Sequence, residues 1–238
     1  MAYGRLNVAR EEFFREALLI TFKPLPVQSG PPHPINRKGG IMSHILRDVY
    51  RAQIGSEPAK RTRWYAERAI VPSLGSGIES RNNLMNEPVA NLEGLDPTRT
   101  DILHEYFVAP ERFSDFLKIC RDLIPKSKLE FLNVTLRYVR KDETSLLAYA
   151  RTDRIAAVMS FSQRMNGDDE MEMMRLTEAL IEAIGDIGGS FYLPYRLHAR
   201  RDQVHAIYPN AARFAALKRQ YDPGLLFRNG LWDTYFAD

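Results

Sequence analysis

A chain of 238 residues, 45% apolar and 26% charged, is no disordered polymer, collagen-like repeat or coiled-coil rod. Lys and Arg number 33 against 30 Asp and Glu, a surplus too small for a dedicated nucleic-acid binder. The only cysteine, Cys120, excludes an intrachain disulfide, and no apolar run approaches the ~18 residues of a membrane span, so the expected setting is cytoplasmic.

The first apolar stretch, residues 17–22, reads as a buried strand stopped by Lys23-Pro-Leu-Pro26. Residues 28–40, dense in Pro and Gly, read as a linker. The main boundary is placed there: 1–42 as one strip plus linker, 43–238 as the body. Ser43 is a candidate N-cap for a helix carrying Ile45, Leu46, Val49 and Tyr50, with Gly55 as its stop. A second helix spans about 58–70, before Pro72, and residues 73–100 read as loop.

The remainder is more regular. Residues 102–108 read as a strand and 110–124 as an amphipathic helix on which Phe113, Phe116, Leu117, Cys120 and Ile124 share a stripe. Residues 131–139 alternate apolar and polar, the period of a half-buried strand. Strands are expected at 145–151 and 155–161, and a helix at 168–184 with Asp168, Asp169 and Glu170 where the helix dipole favours acids. The pair Gly188-Gly189 turns into a strand over 190–195, and Asn210 is expected to cap a last helix to Gln220. The order is α+β: an antiparallel sheet with helices packed on one face.

Most catalytic signatures are absent: no Walker loop, no Gly-x-Gly-x-x-Gly, no Gly-x-Ser-x-Gly, no His-Glu-x-x-His. Ser73-Leu-Gly-Ser-Gly77 lacks the lysine of a phosphate cradle and reads as a turn. His104 and Glu105 are neighbours in a strand, so they point to opposite faces and cannot share a site. The informative stretch follows the glycine pair, where Tyr192, Tyr195, Arg196 and His198 crowd together. Aromatics and cations at a strand end suit a planar or hydroxylated ligand, and equally an ordinary sheet edge.

Three segments resemble the vanillyl-alcohol-oxidase superfamily of FAD-dependent oxidoreductases, in the branch of decaprenylphosphoryl-ribose oxidase, the 24-sterol reductases and the sugar-lactone oxidases. They are Gly188-Gly-Ser-Phe-Tyr-Leu-Pro-Tyr195, the closing run from Tyr208-Pro209 through Asp222-Pro-Gly-Leu-Leu-Phe-Arg-Asn229, and the opening Ala2-Tyr-Gly-Arg-Leu-Asn-Val8. The resemblance covers nearly the whole chain, yet only the C-terminal half of such an enzyme. It implies a ferredoxin-like substrate-binding (cap) domain over 43–238, preceded by the last strip of the flavin domain in 1–42. The glycine-rich loop that grips the FAD pyrophosphate is missing from the sequence. The chain then reads as an excised domain, a truncated product or half of a split enzyme, inactive without its flavin-binding domain in cis or in trans.

By resemblance, Tyr192 lies beside the isoalloxazine ring and Asn229 near the flavin-domain interface. Tyr195 stands where the decaprenylphosphoryl-ribose oxidases place a substrate lysine, and Arg196 follows it. Arg137 and Tyr149 join Tyr195 and Arg196 as substrate-binding candidates; Tyr192, Tyr195 and His198 are the titratable groups for catalysis. The implied reaction passes hydride from a hydroxyl-bearing carbon of a sugar, lactone or alcohol to the flavin. No metal is implied. An RNA-binding ferredoxin-like module is the competing class, but strand 146–151 offers one aromatic and no glycine. The sheet face opposite the helices is expected to be open, rimmed by Tyr and Arg, and available to a flavin domain or a second copy. Tyr208, Phe214, Leu217 and Phe227 are expected to anchor the C-terminal tail.

Overall fold

The computed structural model describes residues 2–26, 41–70, 80–85 and 94–237. The expected linker, the turn at 73–77 and most of the loop before residue 94 lie outside the described residues.

Strand β1 (Ala2–Leu6) turns back through Phe13 and Phe14 into β2 (Ala17–Thr21). Helix α1 (Ile41–Arg51) begins two residues before Ser43, so Ser43 sits inside its first turn rather than capping it. Helix α2 (Glu57–Tyr65) is capped by Ser56, whose hydroxyl accepts the Ala59 N–H at 3.3 Å, and one π-helical turn prolongs it to Ile70. A short α3 (Arg81–Met85) precedes the main body.

That body is β3 (Arg99–Val108), α4 (Phe113–Leu123), β4 (Glu130–Val139), β5 (Arg154–Arg164), α5 (Gly167–Asp186) and β6 (Ser190–Phe191). Every pairing is antiparallel and the six strands lie in the order β2-β1-β4-β5-β3-β6. The last four strands with α4 and α5 form the split β-α-β arrangement of ferredoxin-like folds. The sheet is open, with β2 and β6 at its edges.

One face carries the core. Ile102, His104, Tyr106 and Val108 of β3 align with Phe161, Met159, Ala157 and Ile155 of β5. Against them pack Phe116 and Cys120 of α4 and Met173, Leu176, Leu180 and Ile184 of α5, all fully buried. The helical stripe read from 110–124 is therefore real, and burial pushes the Cys120 thiol far above its ordinary range. Asn166 caps α5 by accepting the Asp169 N–H at 2.8 Å.

Further sequence expectations need correction. Residues 145–151 form no strand: the Asp142 carboxylate accepts the backbone N–H groups of Thr144 and Ser145, closing a local turn in place of a ladder. The strand after the glycine pair stops at Phe191, since the chain turns away before Pro194, which has no N–H to give. The C-terminal part holds three helices, α6 (Arg201–Ile207), α7 (Ala211–Tyr221) and α8 (Gly230–Tyr235), and Asn210 precedes α7 without a side-chain cap bond.

The tail is held as expected by Tyr208, which is buried and donates its hydroxyl to the Phe191 carbonyl, and by half-buried Phe214 and Leu217. Phe227 does not take part. It is 81% exposed, because the Asp222 carboxylate holds the Leu226 and Phe227 N–H groups and turns their side chains to solvent. Trp232, Tyr235 and Phe236 fill the core in its place, with Phe236 4.9 Å from Phe214.

Candidate functional site

Strand parity sends alternate residues to the second face of the sheet. Two rows cross it there. Tyr192, Glu105, Val158 and Thr135 form one, and Ser190, Phe107, Ala156 and Arg137 form the next. Tyr192 is locked beside Glu105 by its backbone N–H, which donates to the Glu105 carbonyl at 2.9 Å.

Helix α1 touches one end of this face. Tyr50 meets the Ser160 hydroxyl at 2.8 Å, and Arg51 forms an ion pair with Asp101 at 2.5 Å. The turn at 142–150 touches the other end: Tyr149 stacks on Phe107, and Ser190 donates to the Tyr149 carbonyl. From Tyr149 an aromatic chain continues edge-to-face to Tyr192 at 5.7 Å and on to Tyr195 at 4.8 Å. Between the two ends lies a shallow trough over half-buried Val158, with Ala156 beside it fully covered. Glu105 and the tyrosines stand on one side and Arg137, exposed, on the other.

The structure thus brings together four of the sequence candidates, Arg137, Tyr149, Tyr192 and Tyr195. Among the described residues their polar heads hold no side-chain hydrogen bond. Burial raises the pKa of Tyr195, reinforced by Glu105 and Tyr192 and opposed by Arg137; burial likewise raises Tyr149. Both phenols therefore stay protonated and can donate.

The other candidates go elsewhere. His198 is buried on the helix side, its Nε2 2.8 Å from Glu170 of α5, and Arg196 lies 4.0 Å from the same carboxylate. Asn229 caps α8, its side-chain oxygen accepting the Trp232 N–H at 2.9 Å.

His104 has a structural assignment. The Thr177 hydroxyl donates to the Met173 carbonyl at 2.7 Å, so its oxygen must accept from His104 Nε2 at 3.3 Å. That fixes the Nε2–H tautomer and leaves Nδ1 to accept from the Tyr106 hydroxyl at 3.2 Å. Burial, with some help from His198, lowers the His104 pKa to about 3.

Glu105 is the residue that sequence reasoning passed over. The same parity that separates it from His104 places it in the trough with Tyr192, and that alternation was its only signal. Burial raises its pKa and the positive charge of Arg137 opposes the rise.

The trough is an open face. Two crevices beside Lys60 have cavities of about 10 Å³ each, room for no more than a water. A small ligand on the trough becomes enclosed only when a second surface closes over it. Among the described residues no group of three His, Cys, Asp or Glu is placed to hold a metal, and no helix is long and apolar enough to cross a membrane.

No protein-family model matches the sequence, and no curated protein matches it. Among solved structures, the chain aligns with a C-terminal segment of the alpha subunit of aIF2 from Pyrococcus abyssi, covering 65% of this chain and 92% of that one. The identity is 15% and the TM-score 0.24, a superposition too loose to carry any argument about function.

Proposed function

We propose that this chain is the substrate-binding (cap) domain of an FAD-dependent oxidoreductase that oxidises a hydroxylated sugar, lactone or alcohol. The observation that carries the reading is the trough. A tyrosine–arginine face, left free between α1 and the turn at 142–150, needs a second surface to enclose a ligand. In this reading that surface is a flavin-binding domain, joined in cis or supplied in trans. Residues 1–42 lead in from it, with their hairpin extending the sheet at β4, and 43–238 form the cap.

Tyr192, with its hydroxyl free to donate, fits the isoalloxazine end of FAD. Asn229, which the resemblance sets near the same domain, is spent as the N-cap of α8. No Gly-rich strand-loop element in the sequence supplies a pyrophosphate cradle, so the rest of the cofactor belongs to the other domain. When bound, FAD supplies the hydride acceptor. This chain's part is to bind and orient: Arg137, Tyr149 and Tyr195 contact substrate, while Arg196 and His198 stiffen the strand end from behind through Glu170.

The test is reconstitution. The chain is combined with a separately produced flavin-binding domain of this oxidase branch, and sugars, lactones and alcohols are screened anaerobically for loss of the oxidised-flavin absorbance. Reduction that requires this chain, and that falls at least tenfold in Arg137→Met, supports the reading. Flavin reduction indifferent to the chain's presence rejects it.

A further inference from the structure

Helices α1 and α2 lie on the second face of the sheet, and three rows of strand residues lead from beneath them into the trough. Asp101, Ser162 and Glu130 form the first row, and Leu103, Ser160 and Asn133 the second. Glu105, Val158, Thr135 and Arg5 form the third, which is already part of the trough. Only Leu103 and Val158 are apolar. Helices ordinarily pack on a sheet face through apolar side chains. Yet among the described residues no member of α1 or α2 belongs to the hydrophobic core cluster.

Each row is tied to the two helices by polar and charged groups instead. Arg51 grips Asp101 through two hydrogen bonds of 2.9 and 2.5 Å, and buried Lys60 reaches Glu130 at 3.1 Å, so both ends of the Ser162 row are held. Arg63 donates to the Leu132 carbonyl at 3.1 Å, next to Asn133. Glu67 holds Arg5 at 3.3 Å, and Arg68 pairs with Glu16 at 2.9 Å. Even the two buried rings, Tyr50 and Trp64, spend their polar atoms on the body, Tyr50 on Ser160 at 2.8 Å and Trp64 on Glu16. Partly exposed ion pairs contribute little and weaken with salt. A segment docked by them, with little apolar burial of its own, opens at a lower free energy than the core.

We propose that α1 and α2 form a displaceable cover, held by ion pairs, which opens as one unit while the core stays folded and extends the trough over Ser160, Ser162 and Asn133. The proposal stands apart from the cap-domain reading, because it concerns how far the face opens and not what binds there. Closed, the trough ends at Thr135 and Val158. Open, it gains two hydroxyls along β5 and an amide on β4, in line with the rows already exposed.

Thiol labelling of the full chain reads the opening. Cys120, the chain's only cysteine and fully buried, reports unfolding of the core, and Ser162→Cys, at a position with 0% exposure, places a second thiol beneath the cover. The thiol of Ser162→Cys is expected to react with a disulfide reagent about a hundredfold faster than Cys120, and about threefold faster again in ~1 M NaCl. Adding Arg51→Met or Glu67→Gln should raise that rate about tenfold and leave Cys120 unchanged. Arg175→Met, whose ion pair with Glu172 lies on α5 behind the sheet, should alter neither. Hydrogen exchange of the parent chain checks the opening without a new cysteine: amides of α1 and α2 should exchange together, ahead of those of α4 and α5. Equal labelling of the two thiols, or exchange of α1 and α2 in step with α4 and α5, would mean that the helices leave only when the whole fold does, and overturns the proposal. A rate at Ser162→Cys that stays the same in salt, or in both charge variants, overturns it as well.

Discussion

Tyr149 lies across Phe107 with ring centroids 4.3 Å apart and planes 23° from parallel, although one residue belongs to a turn and the other to the central strand β3. The stack covers Phe107, 1% exposed, on a face with no helix above it there. Tyr149→Ala should cost about 1–2 kcal/mol from lost ring burial and stacking, whereas Tyr149→Phe should cost little. Thermal melts decide; equal losses in the two variants would mean that the hydroxyl, not the ring, holds the turn.

The two glycines before β6 are needed for different reasons. Gly188 has φ +73 with open space around it, so alanine there meets only the left-handed backbone penalty of about 1 kcal/mol. At Gly189 a Cβ would sit 2.4 Å from Ile184 Cγ2 and 2.8 Å from the Ile184 carbonyl oxygen, and backbone cannot step aside cheaply. Gly189→Ala should therefore be the worse substitution, at about 3 kcal/mol, with β6 and the Tyr192 flank of the trough displaced. Denaturant midpoints for the pair check the order.

His104 makes the protein acid-sensitive. Its folded pKa, about 3, lies below the ordinary 6.5, so the unfolded chain binds the proton more readily. Nothing is lost above pH 6.5. As pH falls from there toward 3, folding stability should drop by up to about 1.4 kcal/mol per unit from this group. His104→Gln should flatten that part of the stability–pH curve. A curve of unchanged slope would show that other groups set the acid response.

At the C-terminus the ring that holds the tail is Phe214, half-buried against Phe236. Phe214→Ala should lose about 2 kcal/mol, less than a fully buried ring, and several degrees of melting temperature. Phe227→Ser and Arg213→Ala, both at exposed positions, should leave the melt unchanged. A comparable loss in Phe227→Ser would mean that its exposed ring docks in solution.

The purified chain should be colourless. Contacts at one end of a large cofactor give weak binding, ~mM on the scale where 1.4 kcal/mol is tenfold. Stoichiometric flavin absorbance surviving gel filtration would place the pyrophosphate site within this chain after all.

Periodicity made β3, β4, β5, α4 and α5 readable, because each buries one face and exposes or half-exposes the other. It misled at 145–151, where Leu146, Leu147 and Tyr149 are apolar not for strand pairing but for laying one ring on Phe107. Helices α6 and α8 escaped because they are short and stabilised by tertiary contacts: Gln203 donates to the Glu178 carbonyl at 2.9 Å, and Arg201 and His205 hold the Tyr235 carbonyl. The site was half legible. Tyr192 and Tyr195 stood out as a local cluster, while alternation gave Glu105 its face but its meeting with Tyr192 needed the pairing of β3 with β6, which no local pattern encodes.

The pairing of β3 with the two-residue β6 also sets a timetable for synthesis. Phe107 leaves the ribosome early, Tyr149 later and Tyr192 later still, so a nascent chain that ends before the glycine pair has sheet and helices but one flank of the trough missing. The tyrosine–arginine face is then complete only once the chain has been made through Tyr195. Any C-terminal shortening that reaches Ser190 removes it, even where most of the core survives.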